Sequence, residues 1–339
     1  MRPEYELYDR REFFRVINKS AAILGLTAVA AKNTPAAKAD SSNPFAYDLS
    51  RLQKTDPALI AYEETARWRA PRKDPKRIAL GPDDRVYLCA GNYVSVLSRE
   101  GEPILEIALS GPASSATAKG ETIFAAARDH IEIFDSKGER RGKWDSPGKK
   151  CWLTGLAVTE NDVFAADSGN RILYRFDRSG KLLRRLGEKN SERNVPGFIV
   201  PSPYLAVELH RDGLLRVNNI GRHQVEAYTF DGDFEGAWGK PSSAIDGFCG
   251  CCNPVAVSML PDGRIVTGEK GLPRVKVYSA GGDFESVVAG VESFPENAKA
   301  CSDLNDCLNG GLDVAVDSRG RVYIVDFVTS DVRVMKRKS

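Results

Sequence analysis

Residues 160–187 read E-N-D-V-F-A-A-D-S-G-N-R-I-L-Y-R-F-D-R-S-G-K-L-L-R-R-L-G. A short polar turn leads into an apolar run that ends in Asp167. The loop S-G-N-R follows, then the alternating run I-L-Y-R-F-D, a tight R-S-G turn and a last amphipathic run. Strands bounded by Gly, Asp and Asn turns read this way, and nothing in the stretch has a helical period. The same unit returns at 318–337 as S-R-G-R-V-Y-I-V-D-F-V-T-S-D-V-R-V-M-K-R. Four looser copies occupy 83–102, 119–139, 211–233 and 261–283.

Self-similarity at a period of this size means a repeat architecture. Equivalent strands start near Val86, Ile123, Val163, Leu215, Ile265 and Val322, with steps of 37, 40, 52, 50 and 57 residues. Six units of four strands predict an all-β, six-bladed propeller. The last unit has room for three strands before Ser339. The segment Y-E-E-T-A-R-W-R-A-P (62–71) would supply the fourth, joining the chain ends and removing a free sheet edge. The units resemble NHL repeats, most clearly at A-A-D-S-G-N-R-I (165–172), N-I-G-R-H-Q-V (219–225) and G-L-D-V-A-V-D-S-R-G-R-V-Y-I-V-D (311–326). That resemblance implies the fold. It does not imply one function, because such propellers serve as scaffolds, receptors, nucleic-acid binders and lyases.

The N-terminus carries Arg10-Arg11, then Phe13-Phe14 and Arg15, then a mild apolar stretch from Ala21 to Ala31. These 11 residues fall short of the ~20 that span a bilayer. An A-x-A site follows at Ala37-Lys38-Ala39. The segment resembles a twin-arginine (Tat) export signal, which implies a periplasmic or extracellular protein. The expected organisation is a signal peptide over 1–39, a linker over 40–60 and the propeller over 61–339. No other segment is long and apolar enough to span a membrane as a helix. The formal net charge is +2, of which +3 belongs to the first 39 residues. The near-neutral remainder argues against nucleic acid. The expected mature form is a monomer whose partner is a protein or a small-molecule ligand.

The seven cysteines are unevenly spread. Cys249, Cys251 and Cys252 precede the first strand of unit five, and Cys301 and Cys307 precede that of unit six. Cys151 precedes the first strand of unit three, and Cys89 ends a second strand. In a propeller these positions belong to one face. Three readings stand. Disulfides would staple insertions 240–253 and 291–309, leaving one thiol over, with Cys89 the natural candidate. Four of Cys249, Cys251, Cys252, Cys301 and Cys307 would instead hold an iron–sulfur cluster or another thiophilic metal, although C-x-C-C then C-x5-C matches no ferredoxin or zinc spacing. A buried set of free thiols is the third.

Glu269, Lys270 and Arg274 replace the usual D-S-G-N loop in the unit that carries C-G-C-C, and they are the candidate ligand-binding residues. Asp167, Asn219, Glu269 and Asp326 end equivalent second strands. They would either form an acidic ring at the channel mouth or cap their own loops. Lyases among NHL-type propellers hold zinc with channel histidines. Here His130 and His223 share one repeat position, while His210 lies in a turn on the opposite face, so the three do not converge. Trp144, Trp152 and Trp238 lie at strand ends and read as blade-to-blade packing. No nucleophile elbow, phosphate loop or H-E-x-x-H motif occurs. The leading expectation is a binding scaffold that works through the Cys-rich loop face. A redox or metal protein is the second reading. A metal-dependent lyase or lactonase using Glu269, Asp167 and Asn219 is the third.

Overall fold

The computed structural model describes residue 52, residues 54–295 and residues 311–339. The regular structure of the described residues is nearly all strand, with short 3-10 turns at Pro57–Leu59 and Val291–Ser293. Six four-stranded antiparallel sheets occupy 75–108, 113–144, 153–186, 207–238, 256–289 and 312–337, and the last is completed by Tyr62–Arg69. These are the six blades, numbered one to six in that order. The expected ring closure is present. Tyr62–Arg69 pairs antiparallel with Asp331–Arg337, from Tyr62 opposite Arg337 to Arg69 opposite Asp331. Closure satisfies the outer edge of that strand with backbone partners from the other end of the chain.

The first strands of the blades face the axis. Residues from all six line one narrow space of about 20 Å3: Arg77, Ser115, Gly155, Val207, Val257 and Asp313 each come from a different blade. Burial falls outward from that axis. The second strands Asp162–Asp167 and Ile265–Glu269 are buried at every position, whereas the fourth strand Arg140–Trp144 is mostly exposed. Inner strands are covered on both faces by neighbouring blades. They therefore read as continuous apolar runs such as V-F-A-A rather than as alternations.

Glycine sets how closely the blades approach. The turn before each fourth strand meets the last strand of the preceding blade. At Gly180 (φ +92°) an added Cβ would lie 2.5 Å from the Trp144 ring, and at Gly282 (φ +96°) 2.3 Å from Trp238. Both the left-handed backbone and the contact require glycine. Trp144 thus packs between Phe124 of its own blade and Phe176 of the next, at 5.7 and 5.5 Å. Trp238 lies 4.7 Å from Tyr278. The blade-to-blade role expected for these two tryptophans is what the structure contains.

The long steps between units correspond to three insertions: 187–206, 239–255 and 290–311. Residues 296–310, with Cys301 and Cys307, lie outside the described residues, as does the segment expected to be a signal. Residues 54–60 run along blade five, where Ile60 bridges Val287 and the Thr55 N–H donates to Glu292. Among the described residues, no helix is long and apolar enough to cross a membrane.

Candidate channel-mouth site

The second strands end, and the first strands begin, on the face that carries the three insertions. Asp167 accepts hydrogen bonds there from the backbone N–H groups of Trp152 (2.8 Å), Gly169 (2.9 Å) and Asn170 (3.2 Å). Asp326 accepts from Val328 and Thr329. Asn219 accepts from Ile199 N–H and donates to Gly197 O and to Glu226. Each of these groups caps a loop, the second of the two roles read for the set. Among the described residues, no group of three His, Cys, Asp or Glu is placed to hold a metal ion.

Glu269 departs from this pattern because its neighbours are charged. It is fully buried and accepts from Arg274 Nε (3.0 Å) and Nη2 (2.9 Å), and Lys276 Nζ lies 2.8 Å from it. The two cations then reach the 239–255 insertion. Arg274 donates to Ser243 O (3.2 Å), and Lys276 donates to Ile245 O (3.0 Å) and Gly247 O (2.6 Å). Burial pushes the Lys276 ammonium down to about 8, even with Glu269 beside it. The cluster is a buried clamp that fixes the insertion to blade five.

The clamp also positions the cysteine loop. Cys249 N–H donates to Glu269 Oε2 at 2.9 Å. Gly250 O accepts from His223 Nε2 at 2.6 Å. Asn253 and Lys270 exchange hydrogen bonds: Lys270 N–H to Asn253 Oδ1 at 2.9 Å and Asn253 Nδ2 to Lys270 O at 3.0 Å. Between these ties sit Cys251, which is exposed, and Cys252, which is 1% exposed. Their sulfurs are 3.4 Å apart. Burial pushes the Cys252 thiol up. The Lys270 charge and hydrogen bonds with Ser202, Cys251 and Lys270 outweigh it, and the thiol is held below its ordinary value. No disulfide joins any two of the five described cysteines. Cys89 and Cys151 are buried in separate apolar clusters. Burial pushes both upward, Cys89 to about 12.

Lys270 links this loop to the centre of the ring. Its ammonium lies 4.3 Å from the centroid of Tyr204, and its stem passes Gly311 beside Phe327. Tyr204 and Phe327 both line a cavity of about 180 Å3 at the channel mouth. Trp152 lines it as well, with the Arg128 guanidinium stacked on its ring at 3.9 Å. Arg128 holds a left-handed backbone (φ +62°), an uncommon conformation for a residue with a Cβ. Lys76 and Arg77 complete the charged lining, with Ser114 and Thr154 as small polar groups. Burial pushes the Lys76 ammonium below its ordinary value. Arg77 is already engaged, by Asp313 at 3.1 Å and by Thr154 O at 3.0 Å. Among the described residues, the lining includes no carboxylate. Just beneath, in the channel, burial pushes Glu208 up to about 8 and also raises Asp313.

Of the ligand-binding candidates read from the sequence, Glu269 and Arg274 lie in the clamp and Lys270 lies between the cysteine loop and the cavity. The histidines stay apart. His130 lies between Asp129, Ser110 and Glu132, His210 contacts Gly263 O, and His223 holds Gly250. Sequence reasoning missed Lys76, Arg128 and Tyr204, and assigned Trp152 to packing. One signal was available. Each of these residues sits at a strand entry or turn on the insertion-bearing face, and the 187–206 insertion supplies Ser202 and Tyr204.

No protein-family profile matches this sequence, and no curated protein is similar to it in sequence. Solved structures do resemble its fold. A streptogramin B lyase is 13% identical, with a TM-score of 0.52 over 82% of this chain and 97% of that one. Virginiamycin B lyase from Staphylococcus aureus is 12% identical, with a TM-score of 0.53 over 82% of this chain and all of the other. A catalytically inactive variant of that lyase with quinupristin gives 0.55 at the same identity and coverage. At these identities the likeness concerns the propeller fold.

Proposed function

We propose that this protein is a binding module whose working face is the channel mouth, and that its ligand is a small organic anion with a flat apolar body. The observation that carries the proposal is the cavity lining. Lys76 and Arg128 supply positive charge beside the Arg77–Asp313 pair, Trp152, Tyr204 and Phe327 supply aromatic surface, and the described lining residues include no carboxylate. A concave apolar site with a few convergent polar groups is the ordinary form of a small-molecule site. The quinupristin complex supports the reading in one respect: a propeller of similar fold accommodates a small molecule. The lyase reading rests on fold likeness alone, and His130, His210 and His223 are engaged in separate places. We also propose export by the twin-arginine route, supported by Arg10-Arg11 and the short apolar stretch behind them. Fractionation of cells carrying the wild type and an Arg10→Lys, Arg11→Lys variant tests it. Equal distribution of the two would count against export by that route.

Calorimetry with benzoate and its neutral isostere benzamide tests the binding proposal. One charge-assisted hydrogen bond is worth about 1.5–3 kcal/mol, or roughly 10- to 100-fold in affinity. Benzoate is expected to bind more tightly than benzamide by that factor. The preference is expected to disappear in a Lys76→Ala, Arg128→Ala variant. Equal binding of the two probes, or an unchanged preference in the variant, would overturn the assignment.

A further inference from the structure

The cavity does not account for a second polar cluster on the same face, at the start of the third strand of blade two. His130 opens the strand His130–Asp135 and is buried. Its Nδ1 lies 2.9 Å from Asp129 Oδ1, and its Nε2 lies 2.9 Å from Ser110 Oγ. Ser110 is exposed, in the connection from blade one to blade two. Glu132 Oε1 fixes the serine: it accepts from the Ser110 N–H at 2.8 Å, and it lies 2.5 Å from Ser110 Oγ and 3.1 Å from His130 Nε2. Arg140 Nη2 lies 2.6 Å from the other Glu132 oxygen. With the Asp129 carboxylate beside Nδ1, the ring proton belongs there, and Nε2 is the basic atom facing the Ser110 hydroxyl. A hydroxyl beside an oriented imidazole is the arrangement of a nucleophilic serine, recognised by geometry and role rather than by chain order. Glu132 is not the base. Burial pushes its carboxyl up, but hydrogen bonds from the Ser110 side chain and backbone and from His130 outweigh it, and the group is held below its ordinary value. Gly111 follows the serine, and among the described residues its N–H donates no hydrogen bond. The N–H after a nucleophile is a recurrent oxyanion donor.

We propose that Ser110, His130 and Asp129 form an esterase site, with carboxylic esters as substrates. Ser110 Oγ bonds to the carbonyl carbon while its proton passes to His130 Nε2. The tetrahedral intermediate collapses, the ester C–O bond breaks, and His130 gives the proton to the departing alkoxide, which leaves as the alcohol. Water then attacks the acyl-serine and passes one proton to His130. The acyl–Oγ bond breaks, Ser110 Oγ takes that proton back, and the free acid leaves. Asp129 and Glu132 are positioning residues, one at each ring nitrogen, and both stabilise the imidazolium that forms. The site shares two loops with the cavity, which Pro112 and Arg128 line, but it stands whether or not the cavity binds an anion.

The test uses the full-length protein with 4-nitrophenyl acetate and, separately, with diisopropyl fluorophosphate. The expected result is catalytic release of nitrophenolate, with an acetyl group mapped to Ser110 after acid quenching. The fluorophosphate is expected to stop the release by forming a single adduct, on Ser110. Ser110→Ala changes an exposed side chain, and it is expected to melt like the wild type while losing both the release and the label. General-base catalysis contributes about 10²–10⁴-fold, so His130→Gln is expected to lower kcat/KM by at least about 100-fold. Asp129→Asn serves if that buried variant does not fold, because the Asp129 side chain is 46% exposed. It is expected to lower kcat by more than about 10-fold, and to slow labelling, with KM little changed. Absence of a label on Ser110, or a Ser110→Ala variant that releases nitrophenolate like the wild type, would overturn the proposal. So would an Asp129→Asn variant with wild-type kcat and labelling rate.

Discussion

Replacing Glu269 by Gln tests whether this residue holds the insertion or serves a ligand. Gln keeps the volume and one acceptor oxygen but removes the charge. Arg274, 3% exposed, and Lys276, fully buried, would then face each other with no anion between them. Removing one partner of a buried ionic cluster typically costs about 3–5 kcal/mol, because the remaining charge has lost its solvation without compensation. Lys276, already pushed down to about 8, can relieve part of this by releasing its proton. The expected loss is therefore nearer about 3 kcal/mol. A Glu269→Gln, Lys276→Met double variant, which removes one of the opposed cations, is expected to recover about 1–2 kcal/mol of it. Urea denaturation followed by tryptophan fluorescence at pH 7.5 reads both values. Trp238 is a suitable reporter, because it packs on Tyr278 and on Phe248 of the insertion. Backbone amides across 240–253 should exchange faster in the single variant, since Arg274 and Lys276 are anchored to carbonyls there. A single variant within about 1 kcal/mol of the wild type, with unchanged exchange, would refute the clamp.

Three further outcomes follow from the fold and the channel. Between about pH 4.5 and 8 the folded protein keeps a proton on Glu208 that the unfolded chain has released. Stability should therefore fall as pH rises through that window, by about 1–2 kcal/mol in a channel open to water, and Glu208→Gln should flatten the profile; identical profiles would refute the raised value. Gly282→Ala should cost about 2 kcal/mol in thermal or urea unfolding, since its Cβ would enter the Trp238 ring on a left-handed backbone; a neutral effect would refute that packing. Deleting residues 62–69 should expose the edge of Asp331–Arg337 and give aggregated protein in size-exclusion chromatography; a monomer with wild-type melting would show that closure is dispensable.

The fold was legible because each unit repeats the same physical punctuation. A left-handed glycine precedes the fourth strand in blades one to five, an apolar run forms each buried second strand, and Asp or Asn caps the loop after it in blades three, four and six. Counting units and finding the last one short of a strand was enough to assign Tyr62–Arg69 to the ring closure. The site was legible only where charge broke the repeat. Glu269 and Lys270 stood out for that reason, and Lys270 does lie between the cysteine loop and the cavity. The role of Glu269 was hidden because one partner, Lys276, reads in V-K-V-Y as the solvent side of an alternating strand. The insertion that buries it has no local signature. The cavity itself was not legible. Lys76, Arg128, Trp152, Tyr204 and Phe327 come from separate units, and only ring closure brings them together.

The most direct test of the proposed binding site is a crystal of the protein soaked with 4-bromobenzoate and measured at the bromine edge. The account predicts an anomalous peak between Trp152, Tyr204 and Phe327, with the carboxylate turned to Lys76 and Arg128. A peak elsewhere on the propeller, or a vacant cavity under conditions in which calorimetry records binding, would contradict it.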